Sequence, residues 1–137
     1  MATLSIHHIG IAVEDLDAAA RLWTELFGAA VEHREVLSDQ GVEAVSLRTG
    51  SGRVELLAPL GEDTPVGRFL AKRGPGMHHV AFEVADVAAE LERLRRDGVQ
   101  LIDESPRLGL FGLQVAFVHP EATGGVLAEL VAEYERG

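Results

Sequence analysis

The chain contains no cysteine, which excludes a disulfide framework, a thiolate metal site and a cysteine nucleophile. Any metal must be held by nitrogen and oxygen donors. No apolar run approaches the roughly 18 residues of a membrane span, and no basic residue precedes Arg21. Neither a span nor a cationic targeting segment is therefore expected, and the sequence reads as cytoplasmic. Cations are scarce as well: 12 Lys and Arg face 22 Asp and Glu, a net charge of -10. The carboxylates divide evenly about residue 70, so neither half is a basic arm. Long-range repulsion opposes a nucleic-acid or membrane partner. What is present, 47% apolar and 25% charged residues over 137 positions, suits a single globular domain with a sizeable core.

That domain contains an internal repeat. His7-His8-Ile9-Gly10-Ile11-Ala12-Val13, followed by Glu14-Asp15-Leu16, matches His78-His79-Val80-Ala81-Phe82-Glu83-Val84, followed by Ala85-Asp86-Val87. Both segments alternate as strands, placing Ile9, Ile11 and Val13 on one face and His8, Gly10 and Ala12 on the other. A helix follows each strand. The first is capped by Asp15 or Asp17 and ends at Gly28; the second runs from about Asp86 to Gly98. Strand candidates come next: Val42 to Leu47 and Val54 to Leu57 in one half, Gln114 to Phe117 and Val126 to Val131 in the other. Thr64-Pro65 opens a short linker helix ended by Gly74-Pro75-Gly76. Module one then spans about 5–60, the linker helix about 63–75 and module two about 76–134. Neither half buries enough surface alone, so the two are expected to share a core or a cleft.

Polar residues recur along with the apolar pattern. Glu55 sits inside Val54-Glu55-Leu56-Leu57 and Glu129 inside Leu127-Ala128-Glu129-Leu130-Val131, where an uncompensated charge would cost several kcal/mol. Each half thus offers one histidine from its first strand, His8 or His79, and one glutamate from its last. Two imidazoles and two carboxylates suit Co, Mn, Ni, Fe or Zn better than Mg or Ca. Strand alternation turns His7 and His78 the other way, and His33 and His119 lie beside turns and receive no assignment.

These segments resemble the vicinal oxygen chelate superfamily of glyoxalases, bleomycin resistance proteins and dioxygenases. Within it, the methylmalonyl-CoA epimerase family is the most similar, over nearly the whole chain. The resemblance is carried by His8-Ile9-Gly10-Ile11-Ala12-Val13, Val54-Glu55-Leu56-Leu57-Ala58-Pro59-Leu60, Gly76-Met77-His78-His79, and Phe117-Val118-His119-Pro120 leading to Gly124-Gly125-Val126-Leu127-Ala128-Glu129-Leu130. It implies an α+β fold of two tandem βαβββ modules forming a curved mixed sheet around a metal-binding cleft. It also implies His8, Glu55, His79 and Glu129 as ligands of a divalent ion, Co2+ foremost, with Mn2+, Ni2+ or Zn2+ as the others. An acyl-CoA substrate, a homodimer and epimerisation through a stabilised enolate follow from the same likeness, with Glu129 as a ligand close to the reacting atoms.

Inversion requires a second acid/base group. Some epimerases carry a glutamate three residues after the glycine of a Gln-Gly-Val segment; Gln40-Gly41-Val42-Glu43-Ala44 has alanine there. Glu43 is one residue early, which turns it to the opposite strand face unless a bulge intervenes. It is the secondary catalytic candidate. Coenzyme A phosphates would need a positive patch, for which Arg68, Lys72 and Arg73, or Arg93, Arg95 and Arg96 with Glu92 paired to Arg96, are candidates. Lactoylglutathione lyase uses a similar ligand set and is the alternative activity. A metal-free sequestering module of the bleomycin-binding kind would not need both strand glutamates.

Overall fold

The computed structural model describes residues 3–133, which divide into two compact units. One is His8–His78; the other consists, among the described residues, of 3–7 with 79–133. The first unit runs through β1 (Ser5–Ala12, the last five residues of which belong to this unit), α1 (Leu16–Phe27), β2 (Ala30–Leu37), β3 (Val42–Thr49), β4 (Gly52–Pro59) and α2 (Pro65–Arg73). β1 pairs parallel to β4, and β2, β3 and β4 pair antiparallel, in the order β2-β3-β4-β1. The second unit follows the same plan with β5 (Gly76–Glu83, the last five residues of which belong to this unit), α3 (Val87–Arg96), β6 (Arg107–Leu108), β7 (Gln114–Val118) and β8 (Ala128–Ala132). β5 is parallel to β8 and the rest are antiparallel, in the order β5-β8-β7-β6. Each unit is a βαβββ module with a mixed sheet. Among the described residues no helix is long and apolar enough to cross a membrane.

Local chemistry sets the helix starts. Asp15 Oδ1 accepts the amide of Ala18 at 3.0 Å, and Asp86 Oδ1 accepts that of Ala89 at 3.0 Å. These equivalent aspartates satisfy amides that have no partner within the helix. Thr64 caps α2 through the Gly67 amide, with Pro65 in the first turn. Gly67 has no room for a larger residue, because a Cβ would lie 2.5 Å from the carbonyl oxygens of both Gly61 and Glu62.

Each helix covers one face of its own sheet. Leu16, Ala19, Ala20 and Trp23 of α1 pack with Val45, Leu47 and Leu56. Val87 and Leu91 of α3 pack with Ala116, Val118, Ala128 and Leu130. By strand alternation the side chains between these core positions emerge on the opposite face.

Several details depart from the sequence reading. β2 was not among the strand candidates: its exposed, charged sequence and a register shift between Val31 and His33 mask the alternation. β6 has two residues, too few for any periodicity. β8 begins at Ala128 rather than Val126, because Gly124 and Gly125 turn the chain with φ of 78° and 115°. Residues 3–7 belong to the second unit, where the Leu4 amide donates to Glu83 O at 2.8 Å and Ser5 Oγ reaches Glu83 Oε1. On α3, Glu92 pairs with Arg95 at 2.8 Å instead of Arg96, since positions three apart also face each other on a helix.

Candidate functional site

In the first unit, Gly10 of β1 lies opposite Glu55 of β4, so His8, two residues earlier, shares the glutamate's face. His8 Nε2 stands 3.3 Å from Glu55 Oε2, with side chains 4% and 13% exposed. The second unit repeats this placement. Ala81 of β5 lies opposite Glu129 of β8, and His79 Nε2 stands 3.2 Å from Glu129 Oε1, with exposures of 3% and 6%. Both pairs point away from the helix-covered face of their sheet.

Those separations fit shared metal donors. With metal–nitrogen and metal–oxygen bonds of about 2.1 Å, neighbouring donor atoms are about 3.0 Å apart in an octahedron and about 3.4 Å in a tetrahedron. Each pair therefore has the spacing of two donors on one ion, and its burial removes competing water. With no thiolate in the chain, the donor set suits the borderline divalent metals.

The remaining histidines have other contacts. His7 Nε2 is 2.7 Å from Glu133 Oε1. His78 meets the Phe69 ring edge-on at 5.0 Å. His33 pairs with Glu35 at 2.8 Å, and His119 Nδ1 accepts the Glu121 amide. Of the proposed phosphate-binding cations, Arg68 pairs with Asp63, Arg73 lies over Phe69, and Arg93 and Arg95 bind carboxylates of their own helix.

Glu43 lies on the α1 side of its sheet. It is opposite Ala58, which packs with the α1 cluster, whereas Glu55 is opposite Ser46 on the other face, and the β3–β4 register runs without a bulge. Arg34 donates to Glu43 Oε2 at 2.9 Å and to Asp17 Oδ1 at 2.6 Å. The hydrogen bond from Arg34, reinforced by its charge, holds the Asp17 carboxyl below its ordinary pKa. Replacing Glu43 with alanine should leave turnover within about twofold and change stability by less than about 1 kcal/mol. Steady-state kinetics and urea unfolding measure both.

A polar network beside the His8–Glu55 pair was not legible in the sequence. Glu32 of β2 accepts from Ser46 Oγ at 2.8 Å and from Arg53 Nε at 2.6 Å. Ser46 lies opposite Glu55, and Arg53 precedes it by two residues on the same face. Burial raises the Glu32 pKa, but the hydrogen bonds from Ser46 and Arg53 and the charges of Arg53 and Arg48 outweigh it, leaving the group below its ordinary value. A depressed carboxyl stabilises the fold above its unfolded pKa and loses that contribution as pH falls through the folded value. Glu32→Gln should therefore cost on the order of 1 kcal/mol at pH 7. The gap from wild type should close as pH falls through the depressed Glu32 value, which urea unfolding at pH 7 and in acid tests.

In the second unit, Phe117 of β7 lies opposite Glu129, with its ring edge-on to His79 at 5.6 Å. The Arg107 guanidinium stands 5.8 Å from the Phe117 ring centre.

The family model of the glyoxalase/bleomycin resistance protein/dioxygenase superfamily matches residues 7–117. The chain belongs to this superfamily. Among its members, human mitochondrial methylmalonyl-CoA epimerase is 38% identical over 91% of this chain and 72% of its own length. The crystal structure of methylmalonyl-CoA epimerase from Mycobacterium tuberculosis superposes with a TM-score of 0.94 at 38% identity, covering 98% of this chain and 91% of that one. A variant of the Streptomyces coelicolor epimerase, in complex with 2-nitronate-propionyl-CoA, superposes at 0.92 with 40% identity, covering 96% and 99%. The two βαβββ modules are those of the superfamily fold.

Proposed function

We propose that this chain is an isomerase that interconverts the C2 epimers of methylmalonyl-CoA with a divalent ion held by His8, Glu55, His79 and Glu129. The observation that carries the reading is the buried histidine–glutamate pair at donor spacing, present in both modules. His8 in the first unit, and His79 and Glu129 in the second, are each buried, as donors that must exclude water would be. The methylmalonyl-CoA epimerases from human and from M. tuberculosis, similar along most of this chain, support the substrate.

A divalent ion held by these donors would supply Lewis acidity, stabilising the negative charge that develops on the substrate as the C2 proton leaves. His8 and His79 contribute neutral donors and Glu55 and Glu129 two negative charges. Glu129 is the proposed acid/base on one face of C2, taking the proton as the bond to carbon breaks. Inversion requires return of a proton from the opposite face. With alanine at position 44 and Glu43 tied to Arg34, this reading gives Glu43 at most a secondary part and leaves that donor unassigned. Residues 1–137 serve as one functional domain in this reading, with cobalt as the ion, in a cytoplasmic homodimer.

The test is proton NMR in deuterated water on the cobalt-loaded protein, offered methylmalonyl-CoA or the hemithioacetal of methylglyoxal and glutathione. Exchange of the C2 proton of methylmalonyl-CoA is the expected result. Turnover of the hemithioacetal alone would replace the reading with lactoylglutathione lyase.

A further inference from the structure

We infer that Arg107 recognises the free carboxylate of the malonyl-type substrate and sets the preference for carboxylated over simple acyl thioesters. The inference rests on the epimerase reading above and names a residue that reading does not use. Arg107 of β6 lies opposite Val115 of β7, which lies opposite Val131 of β8. Val115 and Phe117 alternate onto one face, as do Val131 and Glu129. Arg107 therefore emerges on the face that carries His79 and Glu129, away from α3.

Its charge has a job to do there. Glu55 and Glu129 together offset the two charges of a divalent ion, so a substrate carboxylate arrives at a centre that is formally neutral. Among the described residues of the second unit, the other cations are Arg93, Arg95 and Arg96, all on α3, which covers the opposite face. Among its described residues, Arg107 is the positive side chain that the second unit places on this face.

Its surroundings hold it ready without neutralising it. The guanidinium lies over Phe117, whose ring in turn contacts His79. The ionic partner is Asp103, but at 3.7 Å, and Asp103 Oδ2 is already taken by the Phe117 amide at 2.8 Å. Nε is buried with no hydrogen-bond partner among the described residues, while the side chain as a whole is 35% exposed. The stem is thus packed, while Nη1 has its carboxylate partner only at the 3.7 Å of Asp103. A planar guanidinium donates two parallel hydrogen bonds to a carboxylate, a geometry lysine cannot reproduce.

Isothermal titration of the cobalt-loaded protein with malonyl-CoA and acetyl-CoA, which differ by the carboxylate, tests this. Arg107→Met should weaken malonyl-CoA roughly tenfold to a hundredfold and leave acetyl-CoA within about twofold. Arg107→Lys should fall between. With methylmalonyl-CoA the loss should appear in KM more than in kcat. Equal weakening of both thioesters would show that Arg107 only supports Phe117 and His79, and unchanged affinity would show no role; either overturns the inference. A wild-type protein that leaves the C2 proton of methylmalonyl-CoA unexchanged would overturn the epimerase reading itself, and the inference with it.

Discussion

Replacing Glu129 with alanine is expected to lower epimerisation roughly 1000-fold or more, and to strip the bound ion at the same time. Glu129 is held between β5 and β7 by the pairings Ala81 to Glu129 and Phe117 to Glu129. Its neighbours Ala128 and Leu130 are anchored in the α3 cluster, so the strand cannot rotate to offer a substitute. Alanine removes a donor, a negative charge and the proposed base together, leaving His79 without the carboxylate at 3.2 Å. Glu129→Gln separates these contributions. It keeps a neutral oxygen donor of the same shape, so some metal should remain while proton transfer is lost. Metal content after dialysis, read by plasma mass spectrometry, and C2 exchange by NMR give the two quantities. Far-ultraviolet circular dichroism should be unchanged in both variants.

Leu56→Ala should have the largest effect on stability, about 3 to 4 kcal/mol. Leu56 is 0% exposed and lies between Ile11 of β1 and Val45 of β3, under the α1 cluster. Truncation loses the transfer energy of the removed atoms and leaves a cavity that two flanking strands and a helix prevent from closing. For a chain of this size the melting temperature should fall by about 10 °C or more. Leu56 is next to Glu55 but on the opposite strand face. Turnover measured well below the melting transition should therefore be nearly normal, and a calorimetric scan with kinetics on one sample checks both halves of the expectation.

The parts of this protein visible in its sequence are those with strong alternation or strict capping chemistry. The offset repeat placed Asp15 and Asp86, His8 and His79 in equivalent settings, and the residues between them had to follow because one register satisfies both core faces. Glu55 and Glu129 stood out because charges rarely interrupt an apolar strand without a partner. Hidden were the features that depend on pairing across strands. Glu32 comes within reach of Ser46 and Arg53 only through the β2–β3–β4 register, and the shift between Val31 and His33 disguises β2. Arg107 sits in a two-residue strand, where no periodicity can announce its face. Among the charged helix residues, Arg95 found Glu92 where Glu92 with Arg96 was expected, because three- and four-residue spacings are close in energy on an exposed helix.

The most direct test of the central claim is a titration of metal-free protein with cobalt, following the rate of C2 proton exchange in methylmalonyl-CoA. If the two histidine–glutamate pairs share a single catalytic ion, exchange should rise linearly, level off at one ion per chain, and vanish on chelation. Exchange that persists in thoroughly chelated protein, or that rises in step with two ions per chain, would contradict the account.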